Sequence, residues 1–192
     1  MSRIIAGSRR GRRLSTPPGG RTRPTTDRVR EALFSVIASW AGTAGSRPEE
    51  ALAGLALLDL YAGSGAVGLE AASRGASRVL LVESDRRTAR IIGDNARELD
   101  LPVQVRTGRV EDVIGAPPPG PYDVIFADPP YDLASAVLSK HLAVLLQQGW
   151  LTDDALVIIE RSSRTEELTW PDDPADVWSK DYGETMLWFW QR

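Results

Sequence analysis

A chain of 192 residues in which 42% are hydrophobic and 26% are charged is expected to fold as one soluble domain with its own core. It has no cysteine and one histidine, His141, a composition that excludes disulfides and cysteine–zinc sites and argues against a histidine metal cluster or a Ser-His-Asp triad. Asp59 interrupts the longest apolar run, so no membrane span is expected. We expect a cytoplasmic protein without a metal, with His141 on the surface of a helix.

The net charge of −3 hides a strong asymmetry between the start of the chain and the rest. Residues 1–30 carry nine arginines and one acid, Asp27, whereas the remaining residues carry 14 basic and 25 acidic side chains. Arginine forms bidentate hydrogen bonds with phosphates and stacks on bases, so this segment is predicted to bind nucleic acid. A solvated tail is the alternative. The candidate contacts are Arg3, Arg9, Arg10, Arg12, Arg13, Arg21 and Arg23.

The elements can be predicted in chain order from their patterns. Residues 3–14 alternate well enough for a short hairpin that turns at Gly7 to Gly11, and residues 15–24 form a loop rich in proline and glycine. Apolar residues then recur at helical spacing over 27–40. Beyond that helix, predicted strands alternate with predicted helices. The strands are 55–61, 78–83, 103–106, 122–127 and 155–160, and the helices are 66–73, 86–99 and 134–147.

The last segment of the chain departs from this alternation. Two strand-like runs are joined at Tyr182-Gly183 with no room for a crossover helix, so they are antiparallel to each other. The alternating part predicts a parallel, doubly wound sheet. The expected fold is therefore α/β, a mainly parallel sheet with an antiparallel C-terminal strand and a short N-terminal β-hairpin. We expect a basic arm over residues 1–24 and one domain over residues 25–192.

The segment after the strand at 55–61 holds Gly63, Gly65 and Gly68 ahead of a helix. Glycines at this spacing let a backbone approach a ligand closely. Glu83 ends the next strand, where it is placed to accept hydrogen bonds from ribose hydroxyls. These features predict a nucleoside-like ligand, and by themselves they leave a nicotinamide cofactor and S-adenosylmethionine both open.

Asp59 helps to distinguish between these two cofactors, because it lies four residues before the first glycine. A carboxylate there repels a pyrophosphate but suits the ammonium group of a methionine moiety. S-adenosylmethionine has no phosphate and carries a sulfonium cation, so an acidic pocket favours it. The alternative role for Asp59 is to cap a helix or brace the loop.

The segment DVIFADPPYD, residues 123–132, ends a buried strand on an acid, two prolines and a ring. Prolines cannot donate to a ladder, so the strand ends near Asp128 and presents its side chain at the carboxyl edge of the sheet. The Asp128 carboxylate and the Pro129 carbonyl can bind the two hydrogens of an exocyclic amine and localise its lone pair, while Tyr131 stacks on the base. The alternative is a proline-terminated strand whose aspartate caps the helix at 134–147.

Together these motifs resemble those of S-adenosylmethionine-dependent amino-methyltransferases. More closely, the chain is similar to the bacterial RsmD family, which methylates the exocyclic N2 of a guanine in 16S ribosomal RNA. The similarity covers nearly the whole chain, and RPTTDRVREALF at 23–34 is its most telling part because generic methyltransferases lack it. The matching segments are RIIAGSRRGRRL, RPTTDRVREALFSVI, LDLYAGSGAVGLEAASRGA, LVESD, DVIFADPPYD, GWL at 149–151 and VIIE.

The resemblance implies a Rossmann-like class I methyltransferase fold with a seven-stranded sheet and S-adenosylmethionine as cofactor. It implies an amine seat, which we define as Asp128, Pro129, Pro130 and Tyr131. It also implies a set of residues that wall the donor site. They are Asp59, Ala62, Gly63, Ser64, Gly65, Gly68, Glu83, Ser84, Thr25 and Thr26, with Arg23 also near the methionine carboxylate. Helix capping and phosphate contact are the alternative roles of Arg23, Thr25 and Thr26.

The adenine end of the donor site departs from the family pattern. An acid or small polar residue often meets the adenine amine in the family, but here the positions hold Gly108, Arg109 and Val110. We expect a backbone contact at Val110, and a surface position is the alternative for Arg109.

Four other functions compete with guanine-N2 methylation. They are N6-adenine DNA methylation, methylation of a protein glutamine amide, an NAD-dependent oxidoreductase and a non-catalytic ribosome-assembly binder. The DNA enzymes usually need an additional region to read duplex sequence, and asparagine is more typical than Asp128 in the glutamine enzymes. Asp59 disfavours the oxidoreductase. We expect a monomer whose partner is 16S rRNA within the assembled small ribosomal subunit.

Overall fold

The computed structural model describes residues 2–17, 26–163, 165, 168–171 and 176–192. Within these ranges it contains nine strands and five helices. The strands are β1 (Ser2–Arg3), β2 (Arg13–Leu14), β3 (Ala56–Leu60), β4 (Arg78–Glu83), β5 (Gln104–Thr107), β6 (Tyr122–Ala127), β7 (Leu151–Ser162), β8 (Val177–Asp181) and β9 (Thr185–Gln191). The helices are α1 (Asp27–Trp40), α2 (Ala66–Ser73), α3 (Arg86–Glu98), α4 (Val110–Ile114) and α5 (Ser135–Gln147).

Seven strands form one sheet in the order β5-β4-β3-β6-β7-β9-β8, and β1 and β2 form the separate hairpin. Neighbouring strands from β5 to β7 are parallel, whereas β9 is antiparallel to both β7 and β8. The predicted fold, a mainly parallel seven-stranded sheet with an antiparallel C-terminal strand, is confirmed. Since β4 lies on one side of β3 and β6 on the other, the strand order reverses there, which opens a crevice at the carboxyl edge.

Helices cover both faces of the sheet. Successive strand residues point to opposite sides, so Leu57 and Val124 join a cluster with α1, α2, α3 and the hairpin, whereas Leu58 and Ile125 join a cluster with α4 and α5. Burial on both sides explains why these strands are continuous apolar runs in the sequence. Over the described ranges, no helix has both the length and the apolar character needed to cross a bilayer.

The hairpin is docked against α2 through a buried carboxylate. Glu70 is fully buried and accepts hydrogen bonds from the backbone N–H groups of Ile5 and Ala6 at 2.6 and 2.8 Å. The Ser73 carbonyl accepts a bond from the N–H of Ser8 at 2.7 Å. Helix α2 starts at the carboxyl edge of the sheet and runs antiparallel to the strands, so its last residue, Ser73, lies near the amino edge. The hairpin tip contacts Ser73 and therefore lies at the edge of the sheet opposite the crevice.

Most predicted elements are found, and the differences have physical reasons. The helices predicted at 27–40 and 66–73 have those bounds in the structure. β7 starts earlier than predicted because the polar segment 152–154 interrupts the apolar pattern that the prediction used. α4 was not predicted, since five residues show no periodicity. The expectation of a surface His141 is wrong: its exposed fraction is 8%.

Candidate active site

Glycine is required in the loop between β3 and α2 and in the first turn of α2, for two separate reasons. Gly63 and Gly65 have φ values of +54° and +75°, in the left-handed region that other residues rarely adopt. At Gly68 the requirement is space, because a Cβ there would lie 2.6 Å from the Leu81 side chain. A Cβ at Gly63, by contrast, would meet only the Tyr61 carbonyl oxygen, at 3.9 Å. Gly68 therefore packs α2 on the sheet, and Gly63 borders open space.

Ala62 and Ser64 lie in the same loop and are partly exposed. The Ala62 N–H donates to the Val82 carbonyl at 2.9 Å, and its carbonyl accepts a bond from the Gly65 N–H at 2.7 Å. These bonds hold the loop against the end of β4, beside the crevice.

Asp59 is buried beneath this loop, with an exposed fraction of 1%. Its carboxylate accepts a hydrogen bond from the Gly68 N–H at 2.9 Å. Burial raises the pKa of Asp59 to about 7; the Gly68 bond opposes that rise, and the charge of Glu83 adds to it. The side chain thus braces the first turn of α2, which is the helix-capping alternative foreseen from the sequence, and contact with an ammonium group stays a prediction.

That prediction can be tested through proton linkage at Asp59. A ligand ammonium favours the ionised carboxylate, so binding lowers its pKa and releases a proton, and affinity must rise with pH through about 7. We expect the affinity for S-adenosylhomocysteine to increase about tenfold between about pH 6 and 8, measured by calorimetry. Asp59→Asn should remove this dependence, and a constant wild-type affinity over that range would limit Asp59 to bracing.

Without a ligand, the stability of the folded protein should instead fall as the pH rises. The pKa of Asp59 is raised from 3.8 to about 7, so its contribution to the free energy of unfolding is fully present below about pH 4 and is lost as the pH rises through about 7.

Glu83 joins the two loops that border the crevice. One carboxylate oxygen accepts a bond from the Gly63 N–H and the other from the Asp85 N–H, both at 2.8 Å. The side chain is half-buried, so lone pairs remain for ribose hydroxyls. Ser84 is exposed, with its hydroxyl 3.4 Å from the Glu83 carboxylate, a distance too long for a strong hydrogen bond.

At the adenine end, the Gly108 N–H donates to the Glu83 carbonyl at 3.0 Å. Arg109 is the N-cap residue of α4, and its exposed guanidinium pairs with Glu111. Val110 is 5% exposed, in the core beneath α4. The Arg109 side chain therefore takes the surface position foreseen as its alternative, and the backbone contact at Val110 stays a prediction.

The amine seat lies directly after β6, the neighbour of β3. Pro129 is buried, Pro130 is exposed, and Tyr131 has an exposed fraction of 80%. Asp128 is half-buried. It does not cap α5, whose N-cap is Ala134 with no side-chain hydrogen bond. The capping alternative for Asp128 is therefore not what the structure shows.

The surroundings of Asp128 oppose its ionisation. Desolvation raises the pKa of Asp128 well above its usual value, and the charges of Glu160 and Asp59 add to that effect. Arg161 acts in the opposite direction. A carboxyl held this way can take a proton near neutral pH more readily than an exposed aspartate can.

Two further residues near the crevice were not assigned a role from the sequence. Tyr61 follows β3 with a φ of +59°, unusual for a residue other than glycine, and its hydroxyl forms a 2.8 Å hydrogen bond with Nδ1 of His141 on α5. Burial raises the pKa of Tyr61 and lowers that of His141, so both side chains are uncharged at neutral pH. The bond ties the loop between β3 and α2 (residues 61–65, called the donor loop below) to the helix that follows the amine seat. Its partners are 80 residues apart, so no local pattern could reveal it.

Three of the arm arginines have acidic partners at the protein surface. The pairs are Arg3 with Asp27, Arg9 with Asp100 and Arg12 with Glu98, at 3.0, 3.5 and 3.8 Å. Arg10 and Arg13 are exposed and form no ion pair with any described residue. Thr26 caps α1, its hydroxyl accepting a bond from the Val29 N–H at 3.3 Å. The predicted contacts Arg21, Arg23 and Thr25 lie outside the described residues.

Known proteins with similar sequences match almost the full length of the chain. The family model described as "Conserved hypothetical protein 95" matches residues 2–191. Ribosomal RNA small subunit methyltransferase D of Escherichia coli K12 is 36% identical over 159 residues, covering 82% of this chain and 73% of that protein. The chain belongs to the RsmD family. Its curated relatives include rRNA small-subunit methyltransferases.

Solved structures agree with this membership. The E. coli protein yhhF superposes with a TM-score of 0.80 at 34% identity, covering 99% of this chain and 97% of that one. The Thermus thermophilus 16S rRNA N2 G1207 methyltransferase RsmC, solved with AdoMet and guanosine, has a TM-score of 0.67 at 18% identity, covering 91% of this chain and 44% of that one. At that identity the likeness shows the fold alone. The RsmD-family chain described here has the class I methyltransferase fold.

Proposed function

We propose that this protein transfers a methyl group from S-adenosylmethionine to the exocyclic N2 of a guanine in 16S rRNA, within the assembled small subunit. One observation carries the proposal: Asp59, Glu83 and Asp128 stand at the carboxyl ends of three neighbouring strands, β3, β4 and β6. An acidic crevice of this kind suits a cationic donor, and it places the donor loop beside the amine seat. Membership of the RsmD family supports the same substrate class.

The donor side has both the space and the hydrogen-bonding groups that the cofactor needs. Gly63 borders open space, and Glu83 is a half-buried acceptor for the ribose. Asp59 lies under the loop where the ammonium group would sit. When bound, S-adenosylmethionine supplies a methyl group on a positively charged sulfur.

The amine seat, which receives the methyl acceptor, would activate the amine. The lone pair of a guanine N2 is delocalised into the ring, so the amine is a weak nucleophile. The Asp128 carboxylate and the Pro129 carbonyl would each accept one N2–H, which draws the nitrogen toward tetrahedral geometry. As the N–C bond forms and the S–C bond breaks, the nitrogen gains positive charge and must lose a proton, which Asp128 is placed to accept.

Tyr131 would hold the base in this position. Its ring is 80% exposed and is therefore accessible to a base. Stacking of a base on such a ring is worth about 1–3 kcal/mol. The target guanine must leave its stack to reach the ring, at a cost of a few kcal/mol that is lowest in an RNA loop.

We propose that residues 1–24 act as an RNA-binding arm on the methyltransferase domain of residues 25–192. The arm is charged, but its hairpin is docked against α2, so its arginines would meet RNA as a fixed surface. Arg10 and Arg13 are the best placed to bind RNA phosphates, because they are exposed and have no acidic partner among the described residues.

The arm's role should appear in the salt dependence of RNA binding. Each phosphate contact that is lost lowers the slope of log affinity against log salt by about 1. The double variant Arg10→Ala/Arg13→Ala should therefore lower that slope by about 2, measured by filter binding between 50 and 200 mM salt. Lys140→Ala/Lys180→Ala removes the same charge from exposed positions on α5 and β8 and should leave it unchanged. Equal slopes for the two double variants would contradict the arm's role.

The function itself is tested by tritiated methyl transfer to small subunits that lack the modification, followed by mapping of the labelled base. Label on a guanine N2 in 16S rRNA supports the proposal. Label on an adenine N6, or none in the rRNA, overturns it. Equally fast transfer to protein-free rRNA would contradict only the assembled-subunit part.

A further inference from the structure

A buried arginine lies beside the amine seat, on the strand next to β6. Arg161 belongs to β7 and has an exposed fraction of 7%. The register pairs Ala127 with Ile159, so Arg161 sits just beyond the level of Asp128. Nothing in the chemistry described so far uses this side chain.

The Arg161 guanidinium reaches the loop that carries the seat. Its Nη2 donates to the Leu133 carbonyl at 2.9 Å, while the Leu133 N–H donates to the Pro130 carbonyl at 3.0 Å. Leu133 is thus held from both sides, between the seat and β7. The turn that carries Tyr131 therefore depends on a contact made by a side chain 28 residues further along the chain.

Burying this guanidinium is costly unless charge compensates it. Its Nε is buried and has no hydrogen-bond partner among the described residues. Burial lowers the pKa of Arg161, and the neighbouring Asp128 raises it. An arginine buried with an incomplete set of hydrogen bonds is destabilising by itself. Arg30 also has a buried Nε without a partner among the described residues, so what distinguishes Arg161 is its position beside the amine seat.

We propose that Arg161 is a positioning residue for methyl transfer, which fixes the seat through the Leu133 carbonyl and places a cation that favours the ionised, hydrogen-accepting form of Asp128. This inference rests on the proposed function for its catalytic meaning. The charged groups that act on Asp128 are Asp59 on β3 and Glu160 and Arg161 on β7. Arg161 is the cation among them, and Asp128 must be ionised to accept both the amine hydrogen bond and the proton.

The pH dependence of catalysis gives the first test. Arg161→Met replaces the guanidinium with an uncharged side chain of similar length, so the pKa of Asp128 should rise. The acidic limb of the kcat profile should move to higher pH by about one unit or more, so that kcat falls about tenfold or more at pH values on that limb and recovers as the pH is raised further. Arg161→Lys retains a cation and should keep its limb within about half a unit of the wild type.

Arg30→Met is the matched control, since Arg30 is 1% exposed and donates to the Arg3 carbonyl at 2.6 Å, on the hairpin. It should lower the melting temperature without moving the acidic limb. A shift of the limb in both methionine variants would mean a general effect of removing a buried arginine, and would overturn the proposal.

A second readout needs no RNA substrate. A ¹³C-NMR titration of the aspartate carboxyls, with Asp128 assigned through Asp128→Asn, measures the ionisation directly. The Asp128 resonance should titrate at higher pH in Arg161→Met than in the wild type, and an unchanged midpoint overturns the inference. Failure of the proposed function looks different: the wild type would methylate no rRNA while the NMR shift persisted.

Discussion

Replacing Asp128 with alanine is expected to lower kcat for methyl transfer about 10²- to 10⁴-fold, while the Kd for S-adenosylhomocysteine stays within about threefold of the wild type. The side chain stands after β6, whereas the donor loop and Glu83 follow β3 and β4. Its loss therefore removes an acceptor for the amine hydrogens and for the proton without altering the donor loop. Single-turnover methyl transfer and calorimetry measure the two quantities.

Asp128→Asn separates the two roles of this carboxylate. The amide oxygen still accepts one hydrogen bond from the amine but cannot take its proton at neutral pH. We expect a kcat between those of the wild type and the alanine variant. The pH profile of kcat should lack the acidic limb that the ionisation of Asp128 produces. Undiminished kcat in Asp128→Ala would remove the mechanism altogether, whatever the asparagine variant does.

Gly7→Ala is expected to lower the free energy of unfolding by about 2–4 kcal/mol, the largest stability effect that we predict. Gly7 has a φ of +83°, and a Cβ there would lie 2.0 Å from the Ser73 carbonyl oxygen, which is backbone and cannot rotate away. That oxygen accepts the hydrogen bond from Ser8, so relieving the clash separates the hairpin from α2. Urea unfolding followed by tryptophan fluorescence measures the change.

Gly11→Ala is the matched control in the same hairpin. Gly11 has a nearly equal φ of +81°, but a Cβ there would meet no atom within 4 Å. Only the backbone cost of about 1–2 kcal/mol should remain. If the two variants lose the same stability, the docking contact between Gly7 and Ser73 is not what holds the hairpin.

Local patterns in the sequence were enough to predict the order of the elements and the ends of the central strands. Prolines after Asp128 and glycines after Leu60 end β6 and β3 by their own backbone chemistry, wherever they occur in a fold. Parallel strands bring their carboxyl ends to one edge, so Asp59, Glu83 and Asp128 could be assigned to one crevice before any coordinates were known.

Contacts between distant parts of the chain were decided by the tertiary structure alone. The arginine-rich start has the composition of a mobile tail, yet Glu70 and Ser73 fix its hairpin to α2 across more than 60 residues of sequence. Arg161 looks like the polar end of a strand, and its bond to the loop carbonyl of Leu133 appears only in the folded structure.

The sequence by itself determined which residues end the strands and which chemistry can meet at the crevice, because strand ends follow from local backbone preferences. Only the tertiary structure decided that Asp59 braces the first turn of α2, that His141 is buried and that Arg161 lies behind the amine seat. Burial and hydrogen bonding between groups far apart in sequence set those roles, and they arise when the chain packs.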